Sequence, residues 1–119
     1  MAPKTDPGPR GLLPLKPRWF HILLALADGA MHGYAIRQAV EERTGGALKM
    51  WPATLYGSIR ELLERGAIEA LDEEADAGDD QRRRYYRLTT FGRGLLRVEA
   101  ERLQALVDAA YTSRALEGC

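Results

Sequence analysis

The sequence predicts a mainly α-helical domain with one small β-hairpin: a winged helix-turn-helix followed by a long C-terminal helix. Three observations predict it. Three helical stretches come first, each closed by glycine. The apolar period then changes from 3.6 to 2 across two short runs. A last long helical pattern follows, with Leu96, Leu103 and Ala110 spaced by seven. A chain of 119 residues is long enough to bury one core and not two.

Residues 1–16 read as a flexible arm, since Pro3, Pro7, Gly8, Pro9, Gly11 and Pro14 leave no periodic pattern. Pro17 presets a helical start, and a first helix follows over residues 18–27 until Asp28-Gly29 breaks it. Its only polar side chains are Arg18 and His21. Trp19, Ile22, Leu23 and Leu26 share one face, and Phe20, Leu24 and Ala27 the other. A helix this apolar must be covered on both sides, and in so small a domain the second cover is expected to be a partner subunit.

A second helix is expected over residues 33–44, with Ala35, Ile36, Ala39 and Val40 inside and Gly45-Gly46 as its stop. Pro52 opens a third, over residues 52–65, whose inner stripe is Leu55, Ile59, Leu62 and Leu63 and whose end is Gly66. Residues 68–71 and 83–88 alternate as strands, joined by a loop of Asp, Glu, Ala and Gly. Thr89 or Thr90 caps the final helix, which runs to about residue 111. Residues 17–89 thus form the winged helix domain, and residues 90–119 the dimerisation helix and tail.

Lys and Arg number 17 against 17 Asp and Glu, so the formal net charge is zero. A protein that coats nucleic acid without preference is disfavoured, and any nucleic-acid contact must come from a local patch. The lone cysteine, Cys119, allows no internal disulfide. The longest apolar run is too short to span a bilayer, and the N-terminal segment has no apolar core of signal-peptide length. A cytoplasmic protein away from the membrane is the expectation. No nucleophile–base pair, phosphate-cradling glycine loop or metal-ligand cluster is evident, so neither an enzyme, a cofactor nor a metal is expected.

Three runs, His32-Gly33-Tyr34-Ala35-Ile36, Thr54-Leu55-Tyr56 with Leu62-Leu63-Glu64-Arg65-Gly66-Ala67-Ile68, and Arg84-Tyr85-Tyr86-Arg87-Leu88-Thr89-Thr90-Phe91-Gly92-Arg93, together resemble the PadR family of bacterial transcriptional regulators. The similarity covers residues 15–111. The absence of a further C-terminal domain resembles the smaller subfamily. The resemblance implies a homodimeric repressor, released from DNA by a small molecule bound near the dimer interface. Two positions depart from the family pattern: Ala53 stands where glycine is usual and Gly57 where proline is usual.

In a helix-turn-helix the second helix enters the major groove N-terminus first, which makes Thr54, Tyr56, Ser58 and Arg60 the candidates for double-stranded DNA. Arg60 suits a guanine edge or a phosphate; Tyr56 suits a phosphate or a half-buried core position. His32, Gly33 and Tyr34 open the second helix, where amide groups accept a phosphate oxygen; His32 also suits a helix cap. His21 is expected in the core or an interface. Arg82, Arg83, Arg84 and Arg87 form a basic strand fit for phosphates, beside an acidic loop of Asp72, Glu73, Glu74, Asp76, Asp79 and Asp80. Either that loop bends away from DNA or its acids neutralise the arginines.

Trp19 and Trp51 are expected in the core. A second reading sets Trp19 and Phe20, with Leu96 and Leu103, around a small apolar or aromatic effector. The dimer interface is expected to use Trp19, Leu23, Leu96, Leu103, Leu106 and Ala110, and the operator to be roughly palindromic. The rival function is a winged-helix protein–protein module that binds no DNA.

Overall fold

The computed structural model describes residues 8–71 and 84–117. Four α-helices and a small sheet follow in the order α1 (Pro17–Ala25), β1 (Met31–His32), α2 (Gly33–Arg43), α3 (Pro52–Glu64), β2 (Ile68–Leu71), β3 (Tyr85–Leu88) and α4 (Thr90–Thr112). Short 3-10 turns lie at Gly8–Leu12, Leu26–Asp28 and Arg114–Leu116. This is the winged helix-turn-helix with a long last helix that the periodicities predict. The sheet has three antiparallel strands, in the order β1-β3-β2.

Each element has a local cause. Pro17 and Pro52 occupy the first turns of α1 and α3, where a missing N–H costs nothing. Gly45 and Gly46 follow α2 with positive φ, as does Gly66 after α3. Thr89 caps α4 by accepting the Gly92 amide at 2.9 Å, while its hydroxyl donates to the Gly66 carbonyl at 2.6 Å. The cap therefore ties the start of α4 to the end of α3. Strand β1 has only two residues, Met31 and His32, opposite Tyr86 and Tyr85. So short a strand has no period to detect.

The core lies between the helices and one face of the sheet. Ile22, Leu23, Ile36, Met50, Leu62 and Leu95 are fully enclosed, with Trp19, Leu55, Ile59, Ile68, Tyr86 and Leu88 around them. The stripes read for α2 and α3 point here: Ile36, Val40, Leu55, Ile59 and Leu62 are buried, and Ala35, Ala39 and Leu63 half-buried.

Three expectations are corrected. The N-terminal stretch is not a loose arm from residue 8 onward. Its 3-10 turn packs on α4, Leu15 is buried, and the Leu15 amide donates to Glu99 Oε2 at 3.1 Å. Glu99 is buried and is held by Arg102 at 2.6 Å, so a carboxylate anchors this strap. Secondly, Leu23 and Trp19 are enclosed by their own chain and offer no surface to a partner. The first helix finds most of its cover within its own chain: α2, α3 and α4 all pack on it, leaving Phe20 and Leu24 half-buried and Ala27 exposed. Thirdly, Trp51 is 61% exposed rather than in the core.

Candidate nucleic-acid interface

Helices α2 and α3 form the helix-turn-helix, and what each presents is set by how it is held. The α2 N-terminus is fixed by His32, whose Nδ1 accepts the Ala35 amide at 3.2 Å. The same ring meets Tyr85 edge-on at 5.4 Å, tying α2 to the hairpin. Gly33 is buried, with the Tyr56 ring of α3 against it. Of the three residues proposed to open α2 toward a phosphate, Tyr34 alone is exposed.

Helix α3 sorts the four candidates. Thr54 and Arg60 are exposed, and neither side chain makes a hydrogen bond or ion pair with any described residue. Tyr56 is half-buried against Gly33, in keeping with the second of its two readings. Ser58 is a correction: it is buried, and its hydroxyl accepts Arg18 Nε at 2.9 Å. Its role is to lock α3 to α1. A small polar side chain at the edge of an apolar stripe gives no sign of which way it turns, and its partner lies forty residues away.

A second clasp joins the same helices. The Trp19 indole N–H donates to Glu61 Oε1 at 2.8 Å, while Lys16 and Arg65 lie 5.0 Å and 4.8 Å from the centre of its ring. That hydrogen bond holds the Glu61 carboxyl below the usual carboxylate range, helped by the nearby cations and opposed by desolvation. Sequence reading missed Arg18 and Glu61 as positioning residues. The available signal was Arg18, one of only two polar residues on an otherwise apolar helix.

On the hairpin, Glu69 lies opposite Arg87 and accepts its Nε at 2.7 Å, so Arg87 already has a carboxylate partner. Arg84 is exposed just before β3. Arg82, Arg83 and the acidic loop from Asp72 to Asp80 lie outside the described residues. Among the described residues no three His, Cys, Asp or Glu side chains stand together as a metal site.

The last helix separates into two parts. Leu95, Val98 and Glu99 are buried and Leu96 and Leu103 half-buried. Beyond them Leu106, Val107, Ala110 and Tyr111 continue one apolar stripe that the chain leaves exposed.

A family model of the transcriptional regulator PadR-like family matches residues 22–98, from the middle of α1 to the buried part of α4. The chain belongs to the PadR-like family. Among its relatives is a 37.1 kDa protein of transposon TN4556 from Streptomyces fradiae, 36% identical over 92 residues. The match takes in 77% of this chain and 24% of that protein, so the chain spans about a quarter of this relative's length. A transcriptional regulator from Clostridium thermocellum superposes with a TM-score of 0.65 at 24% identity, covering 88% of this chain and 92% of that one. Bacillus subtilis PadR, solved in complex with operator DNA, gives 0.58 at 23% identity, covering 69% of this chain and 45% of its own. At such identities these likenesses establish the shared PadR-type fold.

Proposed function

We propose that this PadR-like protein is a sequence-specific DNA-binding regulator, acting as a homodimer on a roughly palindromic operator. The observation that carries the reading is the outer face of α3, where Thr54 and Arg60 stand exposed, with no partner among the described residues, on a helix clamped by two sets of contacts to α1. Side chains held ready on a fixed helix suit readout of base edges in the major groove. The operator complex of B. subtilis PadR supports carrying that role to this chain.

Dimerisation is supported by the stripe Leu103, Leu106, Val107, Ala110 and Tyr111, which its own chain leaves largely uncovered. A palindromic operator asks two such copies to present their α3 helices to half-sites about one helical turn, ~34 Å, apart. Repression with release by a small apolar effector is the finer reading. Half-buried Phe20, Leu96 and Leu103 are the residues left to line such a site, since Trp19 is enclosed. A cytoplasmic location follows from the need to reach the operator.

Selection from a random pool of duplex DNA at low salt tests the reading. Enrichment of a two-fold symmetric sequence is expected. A protein–protein module would enrich nothing.

A further inference from the structure

Seven large apolar side chains are exposed among the described residues, and four of them, Leu106, Val107, Tyr111 and Leu116, lie at the far end of α4 or just after it. The largest of the other three is Trp51, one of only two tryptophans in the chain. Trp19 shows how the chain encloses an indole: 4% exposure, a hydrogen-bonded N–H and two cations near its ring. Trp51 has none of this. It is 61% exposed, and its side chain makes no hydrogen bond, ring contact or core packing among the described residues.

Its position is informative. Trp51 is the N-cap residue of α3, and the first turn behind it, Pro52, Ala53 and Thr54, is exposed and carries no charge. The leading end of this helix is thus neutral and largely apolar, with Arg60 further along the same helix. The amides of this turn have no side-chain cap and suit a phosphate, but the indole itself is uncharged, and the apolar group it matches on a base-pair edge is the C5-methyl of thymine. We propose that Trp51 is a specificity-determining residue that packs against a thymine methyl group in the major groove of each half-site. The proposal rests on the DNA-binding reading above and adds a base to it.

The test uses the full-length protein and a duplex it has itself enriched from the random pool, with each thymine replaced singly by deoxyuridine. Uracil keeps every hydrogen-bonding group and lacks only the methyl. The expected result is one position per half-site where the change weakens binding about fourfold, the value of one buried methyl group. Trp51→Ala should bind more weakly and be indifferent to uracil there, while Trp51→Phe keeps the sensitivity. Tryptophan emission should change when the native protein binds this duplex and stay unchanged in Trp51→Phe, whose only indole is the enclosed Trp19. Uracil tolerated at every thymine, or an undiminished uracil effect in Trp51→Ala, overturns the proposal and leaves DNA binding standing. A pool that yields no enrichment removes both.

Discussion

The ring of Tyr56 lies over the α-carbon of Gly33, leaving no space for a side chain between α2 and α3. A β-carbon added at Gly33 would stand 2.5 Å from Tyr56 Oη and 2.9 Å from Cε1. Gly33→Ala should therefore displace the ring and cost about 1–2 kcal/mol in denaturant unfolding. Because the clash is with one side chain, Tyr56→Leu should absorb part of it, and the double variant should be less destabilised than the sum. Strict additivity would show that the ring is not what excludes the methyl.

Gly92 gives a sharper case of the same kind. A β-carbon there would run into the Ala67 carbonyl, which is backbone and already accepts the Thr89 amide at 3.1 Å. A ring can swing aside, but this carbonyl cannot leave without breaking the junction of α3, the hairpin and α4. Gly92→Ala should cost about 3 kcal/mol, visibly more than Gly33→Ala. An equal or smaller loss would mean that the junction yields.

These two contacts show what sequence reading reached and where it stopped. The glycines stood inside the runs that resemble the PadR family, but the resemblance marks a position without its cause. The stripes of α2 and α3 were legible because Ile36, Val40, Leu55, Ile59 and Leu62 repeat at the helical period. Ser58 was not, since its direction depends on Arg18 in another element. Size alone points Trp51 to the core, which is how most tryptophans behave. Leu15 was hidden by the prolines around it: a strap held by side-chain contacts to α4 has no period of its own.

The strap also gives a pH prediction. The Arg102 hydrogen bonds hold the Glu99 carboxyl below its ordinary value of about 4.3, with the Leu15 amide adding to this and desolvation opposing it. A carboxylate with a lowered folded pKa contributes stability that is fully present above the unfolded value. That contribution is lost as pH falls through the folded one. Glu99→Gln should thus be less stable than the native protein by about 2 kcal/mol at pH 7, a hydrogen-bonded charge having been removed. Urea melts below pH 4 should show the gap closing. A gap unchanged with pH would assign the loss to packing.

Assembly through α4 predicts that charge on the exposed stripe is not tolerated. Leu106 is 55% exposed in the single chain, so Leu106→Glu should leave the fold of the protomer intact while producing monomers in sedimentation. Leu103→Glu should do the same with some loss of stability, as Leu103 is half-buried. Dimers persisting in both variants would place the interface elsewhere.

On α3, Arg60 and Gly57 are separable. Arg60→Ala should weaken binding to the enriched duplex by roughly 1–3 kcal/mol if the side chain reads a base, and random duplex much less. An equal loss on both would make it a phosphate contact. Gly57 has open space where a β-carbon would stand, so Gly57→Ala should stabilise the fold by about 1 kcal/mol. Weaker DNA binding in this more stable variant would mean that DNA comes close to the backbone here.

Helix α4 has 23 residues, about 34 Å at the usual rise, and its buried end is built into the same body as α3 through Leu95, Val98 and the cap at Thr89. It is in effect a handle on the reading head. The clasps from Arg18 to Ser58 and from Trp19 to Glu61 fix α3 to α1, and α4 packs on α1 in turn, so turning the handle turns α3 with it. Over ~34 Å, a tilt of about 6° moves the far end by roughly 3.5 Å, close to the step from one base pair to the next. In the dimer proposed above, a few degrees between the two handles would put the heads out of register on DNA, with no rearrangement inside either fold.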